Sequence, residues 1–177
     1  MYNKIADKYD ILFSDEQSKK EDEQIFDMLR GSITGSVLDI GCGTGLLLDG
    51  LYISPENYTG VDPSFKMLDN LIRKKPQYID SVLCAPYESL KLPSYDSVVS
   101  LYGSMNYLSK GSIIRIVPER VKIGGKYFLM FYRPKYHPVT YRKTNVEMDH
   151  NVYEKDELEF YFKQVFEFNN FFIATNL

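Results

Sequence analysis

The chain has 177 residues, 44% hydrophobic and 25% charged, which is typical of one soluble globular domain. Its formal net charge of −3 gives no general attraction to nucleic acids or anionic membranes, and its cysteines, Cys42 and Cys84, are too far apart to indicate a zinc site or a disulfide framework. The first 13 residues lack the apolar run of a signal peptide, and no run approaches the ~18 apolar residues of a membrane span, so we expect a cytoplasmic protein.

Short apolar runs alternate with amphipathic segments through most of the chain. Apolar residues on one side of residues 22–29 predict a helix, which Gly31–Gly35 end. The predicted strands that follow are 37–40, 58–61, 81–84, 96–101 and 126–132, and the predicted helices between them are 46–51, 64–74 and 112–122. This alternation favours a parallel sheet with right-handed crossovers.

The pattern changes after Arg133. Residues 139–152 are polar and ambiguous, whereas residues 154–162 resemble a helix. Residues 165–168 and 171–175 predict two strands around a tight turn at Asn169–Asn170, since asparagine tolerates a positive φ. We therefore expect an α/β fold, a Rossmann-like doubly wound, mostly parallel sheet with helices on both faces and a C-terminal antiparallel hairpin.

The strongest functional signal is the segment Val37-Leu-Asp-Ile-Gly-Cys-Gly-Thr-Gly-Leu46. A buried strand runs into three glycines and then a helix, so a ligand can lie against the backbone without a Cβ in the way. Dinucleotide-binding enzymes place G-x-G-x-x-G here, but the third glycine, Gly45, comes one position early. Asp39 would sit badly beside a pyrophosphate and would suit a cationic amine or sulfonium.

This segment resembles the first motif of the class I S-adenosylmethionine-dependent methyltransferases, D/E-x-G-x-G-x-G. The resemblance implies S-adenosylmethionine as the cofactor and S-adenosylhomocysteine as the product. It further implies that Asp39 holds the methionine amino group. The backbone of Gly41, Cys42, Gly43 and Gly45 would wrap the methionine and ribose portions. The alternative is a glycine-rich turn without a ligand.

Asp62 ends the second predicted strand, about twenty residues beyond the glycine loop, where a carboxylate can accept both ribose hydroxyls. Gly60-Val-Asp-Pro-Ser64 resembles the ribose-binding segment of the same family, which implies that Pro63 and Met67 lie near the adenine. The alternative is that Asp62 caps the next helix, although Ser64 is placed to cap it equally well.

The segment Leu83-Cys-Ala-Pro-Tyr-Glu88 ends the third predicted strand. Relatives often carry an aspartate at or beside Cys84 that accepts the adenine amino group, and cysteine is a poor acceptor. The resemblance implies that the segment Cys84, Ala85 and Pro86 adjoins the adenine, with Glu88 as a further contact. The alternative for Cys84 is a small buried hydrophobic side chain.

The fourth strand leads into Leu101-Tyr-Gly-Ser-Met-Asn-Tyr-Leu108. By the resemblance, Leu101, Tyr102 and Gly103 floor the pocket beneath the transferring methyl group. Asn106 and Tyr107 are the candidate catalytic residues, because their polar groups can position an acceptor. The alternative is that this loop only packs beneath the next helix.

The N-terminal segment Tyr2–Phe13 resembles a helix that closes over the cofactor in many small-molecule methyltransferases, and Tyr9 is the predicted lid contact. The alternative is an amphipathic helix on the sheet edge. We expect a single domain over 1–177, with an N-terminal lid segment (1–30), a cofactor-binding core (36–132) and a substrate-side loop, helix and hairpin (133–177). Residues 133–153 are the predicted substrate contacts. His137 and His150 lack metal-ligand spacing, so no metal is expected.

The predicted function is methyl transfer to an unidentified acceptor. The acidic balance and the N-terminal resemblance favour a small molecule, while a protein or RNA acceptor stays open. Three alternatives remain. They are a catalytically degenerate S-adenosylmethionine-binding partner subunit, an NAD-dependent oxidoreductase, and aminopropyl transfer on the same fold. The last would need carboxylates on the substrate side, and the fourth-strand loop contains none.

Overall fold

The structure, a computed structural model, describes residues 2–135 and 149–177. Its centre is one seven-stranded sheet of order β3-β2-β1-β4-β5-β7-β6. The strands are β1 (Val37–Ile40), β2 (Tyr58–Asp62), β3 (Val82–Cys84), β4 (Tyr95–Ser100), β5 (Val121–Tyr132), β6 (Gln164–Phe168) and β7 (Phe171–Thr175). The first five strands are parallel, and β7 runs antiparallel to both β5 and β6.

Helices cover both faces of this sheet. They are α1 (Tyr9–Leu12), α2 (Glu16–Leu29), α3 (Leu46–Gly50), α4 (Phe65–Lys74), α5 (Lys110–Arg120) and α6 (Lys155–Tyr161). Buried side chains of α2, α3 and α4 form one core with one sheet face, and those of α5 and α6 form a second core on the other. No helix in residues 2–135 and 149–177 is both long and apolar enough to cross a membrane. The predicted fold class is confirmed.

The starts of α2 and β5 depart furthest from their predictions. Helix α2 begins six residues earlier than expected, because the Asp15 carboxylate accepts a hydrogen bond from the Ser18 backbone N–H at 2.9 Å and caps it. Strand β5 begins at Val121 rather than at residue 126. Val121 pairs with Tyr95, and the register then shifts before Lys126 pairs with Ser97. Helix α5 therefore ends at Arg120, two residues before its predicted end.

The C-terminal hairpin forms as predicted, whereas the N-terminal segment does not form one continuous helix. The C-terminal hairpin turns at Asn169, whose φ of 50° is the positive value predicted for this turn. The N-terminal segment instead forms two 3₁₀ turns, Tyr2–Lys4 and Ala6–Lys8, followed by the short α1. Of the predicted substrate contacts at 133–153, residues 136–148, which include His137 and most of the ambiguous stretch 139–152, lie outside the described residues.

Candidate functional site

The carboxyl ends of β1, β2 and β4 meet where the strand order reverses between β1 and β4, the position at which open α/β sheets bind ligands. The loop after β1 turns through Gly41, Gly43 and Gly45, all of which have positive φ. A Cβ built on Gly41 would lie 2.2 Å from the Ser104 Oγ. Only glycine therefore lets the loops after β1 and β4 approach this closely.

Asp62 holds the glycine loop through its carboxylate. One oxygen accepts a hydrogen bond from the Gly43 backbone N–H at 3.1 Å, and the other accepts from the Ser64 backbone N–H at 2.7 Å. Burial raises the pKa of Asp62, against these two hydrogen bonds. The cap of α4 is Ser64, whose Oγ accepts from the Met67 N–H. The carboxylate of Asp62 is thus not the cap of that helix.

Asp39 lies in β1, beside Asp62, and only 2% of its surface is exposed. Its carboxylate accepts a hydrogen bond from the Tyr58 hydroxyl at 2.8 Å. The pKa of Asp39 is raised to about 7, mainly by burial; the Tyr58 hydrogen bond opposes this rise and the nearby charge of Asp62 adds to it. A positively charged group placed here would stabilise the ionised form of Asp39.

These residues surround a cavity of about 70 Å³, which we call the inner cavity. Nine of the predicted cofactor-binding residues line it, namely Tyr9, Asp39, Gly41, Cys42, Gly43, Asp62, Met67, Leu101 and Tyr102. The remaining lining residues are Tyr2, Thr44, Leu46, Leu47 and Ser104; sequence reasoning placed Thr44 within the glycine loop and Ser104 within the loop after β4, and it did not single out Tyr2, Leu46 or Leu47. Leu46 belongs to the glycine motif itself, so the motif could have indicated it.

Six predicted cofactor-binding residues lie outside the lining of the inner cavity: Gly45, Pro63, Cys84, Ala85, Pro86 and Gly103. Cys84 ends the edge strand β3 and is exposed, so the alternative of a buried hydrophobic side chain is wrong. Glu88 lines neither the inner cavity nor its surroundings in the glycine loop, and it is bonded to α5 instead. Its carboxylate accepts hydrogen bonds from the Ser109 N–H and from the Ser109 and Ser112 hydroxyls at the start of α5, and these bonds lower its pKa.

The two candidate catalytic residues differ in their surroundings. Asn106 is completely buried, where its amide oxygen accepts from the Tyr132 backbone N–H at 2.8 Å and its amide nitrogen donates to the Asn151 carbonyl at 2.7 Å. Asn106 therefore links β5 to the segment that contains Asn151. The Tyr107 ring contacts the ring of Tyr2, with centroids 6.2 Å apart.

His150, which lacks metal-ligand spacing in the sequence, lies next to the same aromatic cluster. Its ring is 6.2 Å from that of Tyr107 and 5.6 Å from that of Tyr132, centroid to centroid. Asn151, the next residue, is fixed by the Asn106 bonds, so the cluster and the fold hold His150 in this position. No group of metal-ligating side chains occurs among residues 2–135 and 149–177.

The N-terminal segment covers the inner cavity through several polar contacts. The Asn3 side-chain oxygen accepts from the Ser64 hydroxyl at 2.8 Å, and the Asn70 amide donates to the Ala6 carbonyl at 2.8 Å. Asp10 accepts from the Thr44 hydroxyl at 2.6 Å and pairs with Lys74 at 3.0 Å. These contacts hold Tyr9 over the glycine loop.

A second and larger cavity of about 960 Å³ adjoins the first, and we call it the outer cavity. Residues of α1 and α2 form one side, while Tyr102, Tyr132 and Phe171 come from the carboxyl edge of the sheet. Four residues line both cavities: Tyr9, Thr44, Leu46 and Tyr102. Ligands in the two cavities would therefore share contacts with these four residues.

Residues 37–125 match the model of a family described as the methyltransferase domain. A curated relative is the nonribosomal peptide synthetase TES of Alternaria alternata, which is 29% identical over 102 residues. The match covers 50% of this chain but only 2% of that synthetase. Its other activities therefore say nothing about this chain.

Solved structures share the fold. The structure of DhpI in complex with SAH matches 98% of this chain and 91% of that protein, with 18% identity and a TM-score of 0.69, and a second DhpI complex holds SAM and HEP. DesVI of Streptomyces venezuelae matches 75% of this chain with 23% identity and a TM-score of 0.57. This chain spans 59% of the length of DesVI.

Proposed function

This chain belongs to the methyltransferase-domain family, and we propose that it is an S-adenosylmethionine-dependent methyltransferase whose acceptor is a small molecule. The cofactor binds at the carboxyl ends of β1, β2 and β4. The acceptor binds in the outer cavity, next to the methyl group. Small-molecule acceptors suit a cavity of about 960 Å³, which is close to the upper limit of ordinary ligand pockets, about 300–1,000 Å³.

The observation that carries the cofactor assignment is the pair of buried carboxylates, Asp39 and Asp62, at one glycine-rich turn. The pKa of Asp39 is raised to about 7, and a cation bound beside it would favour the loss of its proton. The resulting carboxylate would then pair with that cation. The methionine ammonium of the cofactor supplies that charge. The carboxylate of Asp62 retains lone pairs beyond its two backbone hydrogen bonds, and these accept the ribose hydroxyls. The donor set of the site thus fits the cofactor.

When bound, S-adenosylmethionine would supply an activated methyl group: the acceptor lone pair would bond to the methyl carbon as the methyl–sulfur bond breaks and S-adenosylhomocysteine leaves. The protein binds, orients and excludes water. Gly41 and Gly43 allow close backbone approach, and Tyr102 stands at the boundary between the two cavities. Asn106 holds the loop after β4 against β5 through its hydrogen bond with the Tyr132 backbone. The ring of Tyr107, in the same loop, packs against the ring of Tyr2, which lines the inner cavity.

Isothermal titration of the purified protein with S-adenosylhomocysteine, S-adenosylmethionine and NAD tests the cofactor assignment. We expect both adenosyl compounds to bind and NAD not to bind. Asp62→Asn should weaken the adenosyl compounds at least about tenfold, since a charged hydrogen bond contributes about 1.5–3 kcal/mol. Asp69→Asn, in an exposed ion pair with Arg73 on α4, is the matched control and should bind as the wild type. Binding of NAD alone would favour the oxidoreductase reading.

Transfer is tested separately by S-adenosylhomocysteine release from cofactor and a mixed pool of small amines, alcohols, phenols and carboxylic acids. We expect release above the acceptor-free rate with at least one class. Cofactor binding without release from any class would support the degenerate, non-catalytic alternative.

A further inference from the structure

The outer cavity has a pronounced charge imbalance. Six carboxylates and two lysines line it, the carboxylates being those of Asp10, Asp15, Glu21, Asp22, Glu23 and Asp49 and the lysines Lys19 and Lys74. Lys74 is engaged by Asp10 at 3.0 Å and by Asp49 at 3.9 Å. Glu23 also pairs with Arg30 at 3.0 Å and Asp49 with Lys75 at 2.9 Å, so the negative charge of this wall is carried by its other acids. A concave, low-dielectric wall of one sign concentrates ligands of the opposite charge.

Glu21 and Asp22 are the half-buried carboxylates of this wall, on the side of α2 that faces the sheet edge. Asp22 accepts a hydrogen bond from the Tyr102 hydroxyl, and Glu21 accepts one from the Asn169 amide at 2.9 Å. Within residues 2–135 and 149–177, no lysine or arginine forms an ion pair with either of them. Burial raises the pKa of both carboxyls, as expected where water is scarce and no cation compensates.

Aromatic rings form the floor beneath these carboxylates. The Tyr102 ring meets that of Phe171 edge to face at a centroid distance of 5.5 Å, and the Tyr132 ring is 5.6 Å from Phe171. Tyr102 has a φ of 50°, a rare conformation for a tyrosine, and its hydroxyl links this floor to α2. Ring faces attract cations and also cover apolar groups. The cavity thus combines a negative wall with an apolar floor.

We propose that the methyl acceptor is an amine-bearing small molecule, whose ammonium group is held by Glu21 and Asp22 and whose apolar body lies on the rings of Tyr102, Tyr132 and Phe171. This proposal rests on the proposed function, because it assigns the outer cavity to the acceptor. Tyr102 lines both cavities, so a molecule held in this way contacts the wall that the cofactor also contacts. The carboxylates that the loop after β4 lacks are supplied by α2.

The test is calorimetric binding to the protein saturated with S-adenosylhomocysteine. One set of probes is tyramine, its alcohol tyrosol and 4-hydroxyphenylacetate, and the second is hexylamine, hexanol and hexanoate. Within each set the apolar part of the molecule is kept, and its polar end is a cation, a neutral alcohol or an anion. The variants are Asp22→Asn and Glu21→Gln, with Asp27→Asn as the control. Asp27 is an exposed residue of the same helix, pairs with Arg30 and does not line the cavity.

We expect at least one amine to bind about tenfold tighter than its alcohol and carboxylate partners, the size of one charge-assisted hydrogen bond. Asp22→Asn and Glu21→Gln should each remove most of this preference, while Asp27→Asn keeps it. Equal binding within both sets, preference for a carboxylate, or no binding of any probe overturns the proposal while cofactor binding stands. Failure of S-adenosylhomocysteine itself to bind overturns the proposed function first.

Discussion

The two cavities differ in how their polar groups are satisfied. In the inner cavity, Asp62 is bonded to two backbone N–H groups and Asp39 to a buried tyrosine hydroxyl. In the outer cavity, the half-buried carboxylates Glu21 and Asp22 are bonded to single side chains, and the space is more than ten times larger. A site that is fixed by backbone contacts is suited to one constant ligand. A site lined by side chains from distant elements is suited to an acceptor that differs among relatives.

This contrast predicts that substitutions of the loop glycines damage folding and cofactor binding together. Substitutions on α2 should instead change acceptor choice alone. Four further variants test this division, from the largest expected effect to the smallest.

Gly41→Ala should have the largest effect. The new Cβ would overlap the Ser104 Oγ at 2.2 Å, and the φ of 77° is unfavourable for alanine. We expect the free energy of unfolding to fall by about 2–4 kcal/mol and cofactor binding to be lost, because both overlap and backbone strain must be relieved. Urea unfolding monitored by circular dichroism measures the first, and calorimetry the second.

Two variants check the cause of that loss. Ser104→Gly in the Gly41→Ala background removes the overlap but not the strain, so it should restore part of the stability. Gly111→Ala, on exposed α5 with no atom within 4 Å of the new Cβ, should leave stability unchanged or raise it by up to about 1 kcal/mol. Equal losses at Gly41 and Gly111 would contradict the role of the close loop approach.

Asn106→Asp should have the next largest effect. The amide nitrogen that donates to the Asn151 carbonyl is replaced by an oxygen in a completely buried position. We expect the free energy of unfolding at pH 8 to fall by about 2–3 kcal/mol, since a buried acceptor loses its donor and a charge is buried. Cofactor affinity of the folded protein should change less than about threefold. Selective loss of acceptor turnover with unchanged stability would instead make Asn106 a direct contact of the acceptor.

The sequence predicted much of the inner cavity, because its residues are close together along the chain. The strand Val37–Ile40, the glycines and Asp62 are all signalled by local patterns that span 26 residues, and nine predicted residues line the cavity. Tyr2 was not singled out, although it shares the N-terminal segment with Tyr9, because no local pattern shows which side chains of that segment face the cavity. Its place depends on how the segment packs on the loops.

The outer cavity could not be predicted in this way. Its walls combine α2 with the ends of β4, β5 and β7, which are up to 150 residues apart in the chain, as the Glu21–Asn169 hydrogen bond illustrates. Helical periodicity identified the apolar side of residues 22–29 but gave no reason to set Glu21 and Asp22 apart from other surface acids. The exposure of Cys84 depends equally on the edge position of β3, which the order of elements alone does not give.

The pH dependence of cofactor affinity tests the raised pKa of Asp39. In the free protein this carboxyl is protonated below about pH 7, and the cofactor ammonium favours its ionised form. Binding then releases a proton, so affinity should fall by up to about tenfold per pH unit below 7 and level off above it. Calorimetry in buffers of different ionisation enthalpy between pH 5.5 and 8.5 measures both affinity and proton release.

Asp39→Asn removes the titrating group from this profile. The variant should bind the cofactor weakly at every pH, with a flat profile. The pH dependence of folding stability should have the opposite sign to that of cofactor affinity. Because the folded pKa is raised above the ordinary value of 3.8, the contribution of Asp39 to stability is greatest below about pH 4 and is lost as the pH rises through 7. The variant should therefore gain stability relative to the wild type at pH 8. A wild-type affinity that is constant from pH 5.5 to 8.5 would show that Asp39 does not contact the ammonium.

Asp10→Ala should have the smallest effect on stability and a measurable one on kinetics. The inner cavity of about 70 Å³ is smaller than an ordinary ligand pocket of about 300–1,000 Å³, so we expect the N-terminal segment to shift to admit an adenosyl compound. Asp10 resists this shift through Thr44 and Lys74. We expect unfolding free energy to change by less than about 1 kcal/mol, because the ion pair is exposed. The dissociation rate of S-adenosylhomocysteine, measured by surface plasmon resonance, should rise several-fold.

Asp7→Ala is the matched control, since Asp7 is exposed in the same segment and does not line either cavity. It should exchange the ligand at the wild-type rate. The Asp10 bonds join the segment that covers the inner cavity to the wall of the outer one, so a faster exchange confined to Asp10→Ala means that opening one cavity alters the other. In that case acceptor binding should slow cofactor release as well, because both ligands hold the same segment closed. Equal rates in the two variants would mean that Tyr2 and Tyr9 move without breaking the Asp10 contacts, and the cavities would then open independently.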